Sequence, residues 1–175
     1  MAVSDRTMYI VAAAAPPVLK LGDLVKLLHA RDWKTYVIAT PTAASWIDVD
    51  VLSEASGYPV RVYPRKPHEE DPLPPADLIL AAPVTFNSIN KWAHGHSDTL
   101  ALGLLNEALG LGLRIITAPC VKQTLRSHPA YSASIATLKN CGVRVLDPDA
   151  ITVRTPEGLV SFDWSMVVSL SLTNC

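Results

Sequence analysis

Thr40 and Thr42 follow the apolar run Thr35–Ala39, and Thr85, Asn87 and Ser88 follow the apolar run Leu78–Ala82. Hydroxyls and amides placed where a buried run ends and a helix begins suit the capture of a phosphate. Helix N-termini present unpaired N–H groups and partial positive charge to an anion. The same residue types also serve as plain N-caps, so residue type alone leaves both roles open. Two further loops, Ala13–Pro17 and Pro119–Gln123, leave apolar runs in the same way. His68 stands apart, in a proline-rich segment between Pro67 and Glu69-Glu70. An imidazole can serve as a general base near neutral pH, and the other reading is an exposed loop histidine.

The elements that must position these residues alternate. Strands are expected at Tyr9–Ala13, Thr35–Ala39, Val60–Tyr63, Leu78–Ala82, Leu113–Thr117 and Val143–Leu146. Helical spacing of apolar residues runs from Lys20 to Ala30, after a break at Pro16-Pro17. Helices are also expected at Ala43–Ile47, Asp50–Ser56, Asn87–His94, Asp98–Leu109, Ser132–Asn140 and along the apolar tail Asp163–Leu172. Pro64–Pro75 reads as a loop, and Thr155–Gly158 as a hairpin turn. Strands alternating with helices predict an α/β fold, a Rossmann-like (flavodoxin-type) three-layer sandwich with a central parallel sheet and helices on both faces. In such sheets ligands bind at the carboxyl ends of the strands, which is where the four loops lie. The 175 residues fit a single domain, 1–175.

Composition narrows the class. Hydrophobic residues are 49% and charged residues 18%, ample for a large core. A net charge of −1 without a basic run argues against nucleic acid as partner. No apolar stretch reaches the roughly 18 residues of a membrane span, and Met1–Met8 lack a signal-type apolar core, so a cytoplasmic protein without membrane association is expected. Cys120, Cys141 and Cys175 form no CxxC pair, which suggests free thiols and neither a disulfide framework nor a metal site. The first loop reads Ala12-Ala13-Ala14-Ala15-Pro16-Pro17, without the G-x-G-x-x-G of a dinucleotide fold, and no Walker A sequence occurs.

Residues 77–102 resemble the core of the homo-oligomeric flavin-containing cysteine decarboxylases, whose members include phosphopantothenoylcysteine decarboxylase and peptidyl-cysteine decarboxylases. The family pattern Pro-Ala-Ser-Ala-Asn-Thr, then a helix, then Gly-x-x-Asp-Asn-Leu, is matched by Pro83-Val84-Thr85-Phe86-Asn87-Ser88 and by Gly95-His96-Ser97-Asp98-Thr99-Leu100. The likeness extends more loosely from the first strand to Pro148.

The resemblance implies FMN as cofactor. It implies Ala14, Thr40, Thr42, Pro83, Thr85, Phe86, Asn87, Asp98 and Pro119 around that cofactor, with Thr40 and the backbone near Ala14 at its phosphate. It implies His68 and Asn87 as catalytic residues and a homo-oligomer, either a trimer or a multiple of trimers such as a dodecamer. The helix 98–109 and the tail 164–172 are candidates to bury such contacts, or ordinary core.

The family's second motif, Pro-x-Met-Asn-x-x-Met-Trp, is altered here to Pro119-Cys120-Val121-Lys122-Gln123-Thr124-Leu125-Arg126. Lys122 therefore stands where an asparagine would hold the substrate carboxylate, and it supplies charge with a different geometry. The phosphopantothenoylcysteine branch also carries a lid cysteine late in the chain. Here no cysteine follows Cys141 until Cys175, and Cys141 itself, at a helix end, is expected in the core.

The reaction implied is oxidative decarboxylation of a C-terminal peptidyl cysteine to an aminoenethiol(ate), as in peptide natural-product maturation. The alternatives are phosphopantothenoylcysteine decarboxylation in coenzyme A biosynthesis, on a small cysteine conjugate, and an FMN-binding protein without decarboxylase activity.

Overall fold

The computed structural model describes residues 6–173. Arg6–Ala12 (β1), Trp33–Ala39 (β2), Leu78–Val84 (β3), Ile115–Pro119 (β4) and Arg144–Val145 (β5) form a parallel sheet in the order β2-β1-β3-β4-β5. The chain leaves β1 for β2 on one side and returns across it to β3 on the other. That reversal opens a crevice above the carboxyl ends of β1 and β3, as in other flavodoxin-like sheets.

Side chains alternate across the sheet and separate two cores. Met8, Ile10 and Ala12 of β1 and Leu78, Leu80 and Ala82 of β3 join one core with helices Leu21–His29 (α1), Val49–Ser56 (α3) and Trp164–Leu172 (α9). Tyr9 and Val11 with Ile79 and Ala81 face the other, under Phe86–Ala93 (α4), Leu100–Gly110 (α5) and Pro129–Asn140 (α7). Every residue of β3 is buried, which is why it reads as an unbroken apolar run. The expected three-layer α/β architecture is the one observed.

Several expected boundaries move, each for a local reason. The strand expected at Val60–Tyr63 is a single bridge, Arg61 beside Ile38. Arg61 exchanges both backbone bonds with β2, but Val60 gives its N–H to the Ser53 hydroxyl (3.0 Å), and Pro59 and Pro64 offer no N–H to extend the ladder. Leu113 closes the end of α5 by bonding Ala108 O (3.0 Å), so β4 starts at Ile115. Pro16–Lys20 is a 3-10 helix where a break was expected, since prolines at its first two positions need no N–H partner. Pro129 likewise opens α7 three residues before the expected start, with His128 as N-cap. The hairpin is present as Thr152–Arg154 (β6) paired with Val160–Phe162 (β7). Pro41–Ala44 (α2), Gln123–Arg126 (α6) and Pro148–Ile151 (α8) complete the helices, α6 and α8 having gone unanticipated.

The apolar residues of α5 and of the tail helix α9 prove to be largely core. Ala101, Leu102, Leu105 and Ala108 are buried in α5, and Trp164, Val167 and Val168 in α9. Among the described residues, no helix is long and apolar enough to cross a membrane. Leu80 lies at the centre of β3 and is fully buried. Leu80→Ala is expected to lower the unfolding free energy by about 2–5 kcal/mol, read as a shift of the urea midpoint.

Candidate functional site

Three backbone hydrogen bonds tie the strand ends together. Thr40 N donates to Ala12 O (2.9 Å), Ala13 N to Pro83 O (2.8 Å) and Cys120 N to Val84 O (2.9 Å). They bring the loops after β1, β2, β3 and β4 to one edge.

A cavity of about 290 Å³ opens there. Of the residues expected at a cofactor, Ala14, Thr40, Thr42, Thr85, Asn87 and Asp98 line it. The hydroxyl oxygens of Thr40 and Thr85 cap α2 and α4 by accepting from Ala43 N and Ser88 N, both at 3.2 Å. Thr99 caps α5 by accepting from Leu102 N (3.2 Å) and lines the same cavity. A capping hydroxyl uses its lone pair on the helix, so Thr40 and Thr99 keep an O–H that can turn to a ligand. The two roles left open by residue type are therefore compatible.

Lys91, Pro41, Thr99 and Leu102 also line the cavity and were not among the expected site residues. For Lys91 the signal was available, since it sits four residues after Asn87 and three after Ser88, on one side of α4. Its ammonium is hydrogen-bonded to the Asp98 carboxylate. That bond holds the Asp98 carboxyl below the usual aspartate range.

Other expected residues lie elsewhere. Pro83 and Pro119 are buried at the ends of β3 and β4, where they fix backbone. Phe86 packs into the helical core, edge-on to His128 with ring centroids 5.6 Å apart. Lys122 is exposed at the start of α6. His68 is exposed in the proline-rich loop and lines neither this cavity nor a larger one of about 540 Å³. Pro67 does line the larger cavity, which shares Asp98 and Thr99 with the first.

Cys141 is exposed, not core, because α7 ends one residue before it on the surface. Cys175 lies outside the described residues. Cys120 is half-buried, and burial pushes its thiol up to about 11.

The donor set fits a phosphate-bearing group. Three helix starts, the hydroxyls and one lysine face the cavity, and its lone carboxylate is already paired. A pocket this size is at the lower end for a whole small ligand, and it suits the phosphate end of a longer one.

A parallel sheet of order 2-1-3-4-5 with a cavity at its switch point defines the flavodoxin-like class of α/β folds. The sequence model of the family described as Flavoprotein matches residues 3–172, and the chain belongs to that family. The resemblance drawn from Pro83–Ser88 and Gly95–Leu100 is borne out.

A probable phosphopantothenoylcysteine decarboxylase of Streptococcus mutans is 29% identical over 139 residues, 74% of this chain and 75% of that one. The coenzyme A biosynthesis bifunctional protein CoaBC of Thermococcus kodakarensis is 33% identical over 98 residues, 56% of this chain, and the match spans only 23% of its length. Among solved structures, the epidermin biosynthesis protein EpiD from Staphylococcus aureus superposes with a TM-score of 0.73 at 20% identity, covering 94% of this chain and 99% of that one. The FMN-dependent cysteine decarboxylase SpaF gives 0.72 at 17%, covering 97% and 96%. At these identities the structures share the fold.

The Asp98 carboxyl should titrate below an ordinary aspartate in a carbon-detected NMR titration, and Lys91→Met should raise it. The Lys91–Asp98 contact is then retained at neutral pH and lost only as acid protonates Asp98. Cys120 forms thiolate only near pH 11, so at pH 8 iodoacetamide should modify Cys141 well before Cys120, as read by peptide mass mapping.

Proposed function

We propose that this chain is an FMN-dependent decarboxylase of a cysteine carboxylate, and that its substrate is the C-terminal cysteine of a peptide. The observation that carries the reading is the gathering of Ala14, Thr40, Thr42, Thr85, Asn87 and Asp98 around one cavity at the sheet's switch point. SpaF is described as an FMN-dependent cysteine decarboxylase, and the Streptococcus mutans relative as acting on phosphopantothenoylcysteine. Both descriptions agree on a cysteine carboxylate.

The Thr40 hydroxyl and the first N–H groups of α4, whose start Thr85 caps, hold the phosphate end of FMN. Asn87, exposed in the first turn of α4, offers an amide to the substrate carboxylate. Lys122, on the loop after β4, supplies a second, charged contact to that carboxylate. His68 takes the thiol proton once the proline-rich loop lies over the substrate; this loop walls the larger cavity through Pro64, Pro67 and Pro72. When bound, FMN supplies a two-electron oxidation of the cysteine side chain, after which CO2 leaves and an aminoenethiol(ate) remains.

A second reading, phosphopantothenoylcysteine decarboxylase, is favoured by the Streptococcus mutans match, which spans three quarters of both chains. Against it, the hairpin of β6 and β7 and all residues from Gly142 to Asn174 contain no cysteine. A trimer or a multiple of trimers, which the family resemblance implies, and a cytoplasmic location, expected from the apolar pattern of the sequence, belong to this proposal.

The purified protein should show an oxidised-flavin spectrum or acquire one with FMN. Incubated with cysteine-terminated peptides, it should remove about 46 Da (CO2 plus two hydrogens) by mass spectrometry. Loss of CO2 alone from phosphopantothenoylcysteine would favour the second reading, and flavin binding without turnover of either substrate would leave a binding protein. His68→Asn should reduce turnover about a hundredfold or more with FMN still bound.

A further inference from the structure

Lys91 is the sole cation among the residues lining the smaller cavity. We propose that Lys91 is the charged ligand of the cofactor's phosphate and that Asp98 is the positioning residue that holds its ammonium. The inference rests on the FMN reading above.

The geometry of α4 sets the direction. Ile89 and Trp92 are buried in the helical core, while Asn87, Ser88 and Lys91 share the cavity side. Helical side chains lean toward the N-terminus, so the long stem of Lys91 carries its ammonium back toward the Thr85 cap and the mouth of the cavity. The chain after α4 then reverses at Gly95 (φ +74°), and His96 N bonds Lys91 O (2.9 Å). That turn delivers Asp98 onto Lys91.

The pair is poorly placed to act as a stability element. The two side chains are 36% and 54% exposed, and an ion pair so solvated adds little to folding. What it does fix is orientation. An ammonium has three donors, Asp98 occupies one, and the rest remain for an anion. The remaining cavity donors are neutral, namely the hydroxyls of Thr40, Thr42, Ser88 and Thr99, the Asn87 amide and backbone N–H groups. A phosphate carries nearly two negative charges at neutral pH, and a cation beside it removes a desolvation cost that neutral donors meet less well.

The test compares two ligands that differ only in the phosphate. Apoprotein is titrated with FMN and with riboflavin, followed by quenching of flavin fluorescence. Lys91→Met keeps the stem and removes the charge, and Lys91→Arg keeps the charge. The wild type should bind FMN more tightly than riboflavin. Lys91→Met should weaken FMN roughly tenfold or more while riboflavin affinity stays nearly unchanged. Lys91→Arg should restore most of the FMN affinity, and the salt dependence of FMN binding should flatten in Lys91→Met alone. Equal loss for both flavins would make Lys91 a structural residue, and no loss for either would make it irrelevant; both results overturn the proposal. A wild type that binds neither flavin overturns the cofactor reading, and the role of Lys91 with it.

Discussion

Ala12 O, Pro83 O and Val84 O each accept a backbone N–H from a neighbouring loop, and those three bonds, 2.8–2.9 Å long, fix the carboxyl edge of the sheet. They are continuations of the parallel ladder past the last strand residues. Because they are backbone bonds, they hold the loops whatever side chains the loops carry. The side chains are thereby free to be selected for chemistry, and they are short, polar and uncharged at Thr40, Thr42, Thr85, Asn87 and Ser88. The strands beneath are almost wholly apolar and covered on both faces, so the edge cannot shift without disturbing two cores.

On this rigid edge the site combines two physical devices. Helix caps orient hydroxyls and leave first-turn N–H groups open, which gives a neutral cradle. The Lys91–Asp98 pair adds an ammonium held by a carboxylate, from the far end of α4. In the proposed reading, the ammonium at the phosphate and the carboxylate that holds it come from one chain. Of the groups proposed to act on substrate, Asn87 lies in α4 at the cavity, whereas His68 and Lys122 are exposed outside it. In the proposed reading, Asn87 serves both cofactor cavity and substrate, while His68 and Lys122 serve the substrate from exposed positions. That fits a family whose fold persists among members described as acting on both peptides and small conjugates.

The fold was legible because its signals were long and apolar. Leu78–Ala82 and the α1 pattern leave little choice of element, and alternation of strand and helix then dictates a parallel sheet. What escaped the sequence depended on single hydrogen bonds. Nothing in Val60–Tyr63 shows that the Ser53 hydroxyl will take the N–H of Val60, and Leu113 looks like a strand residue until α5 claims its N–H. At the site, Thr85 and Asp98 were legible through motif spacing. Lys91 was missed because a lysine on an amphipathic helix is ordinarily a solvated one, and only the turn at Gly95 gives it a partner facing the cavity. Phe86 shows the converse. It belongs to the motif, but its ring turns to His128 and the core, and its place in the sequence does not reveal that.

The structure of the protein loaded with FMN tests the central claim most directly. The phosphate should lie within hydrogen-bond reach of the Thr40 hydroxyl, the Lys91 ammonium and the first-turn N–H groups of α4. A phosphate bound elsewhere, for instance in the apolar groove between Leu19 and Trp46, would contradict it.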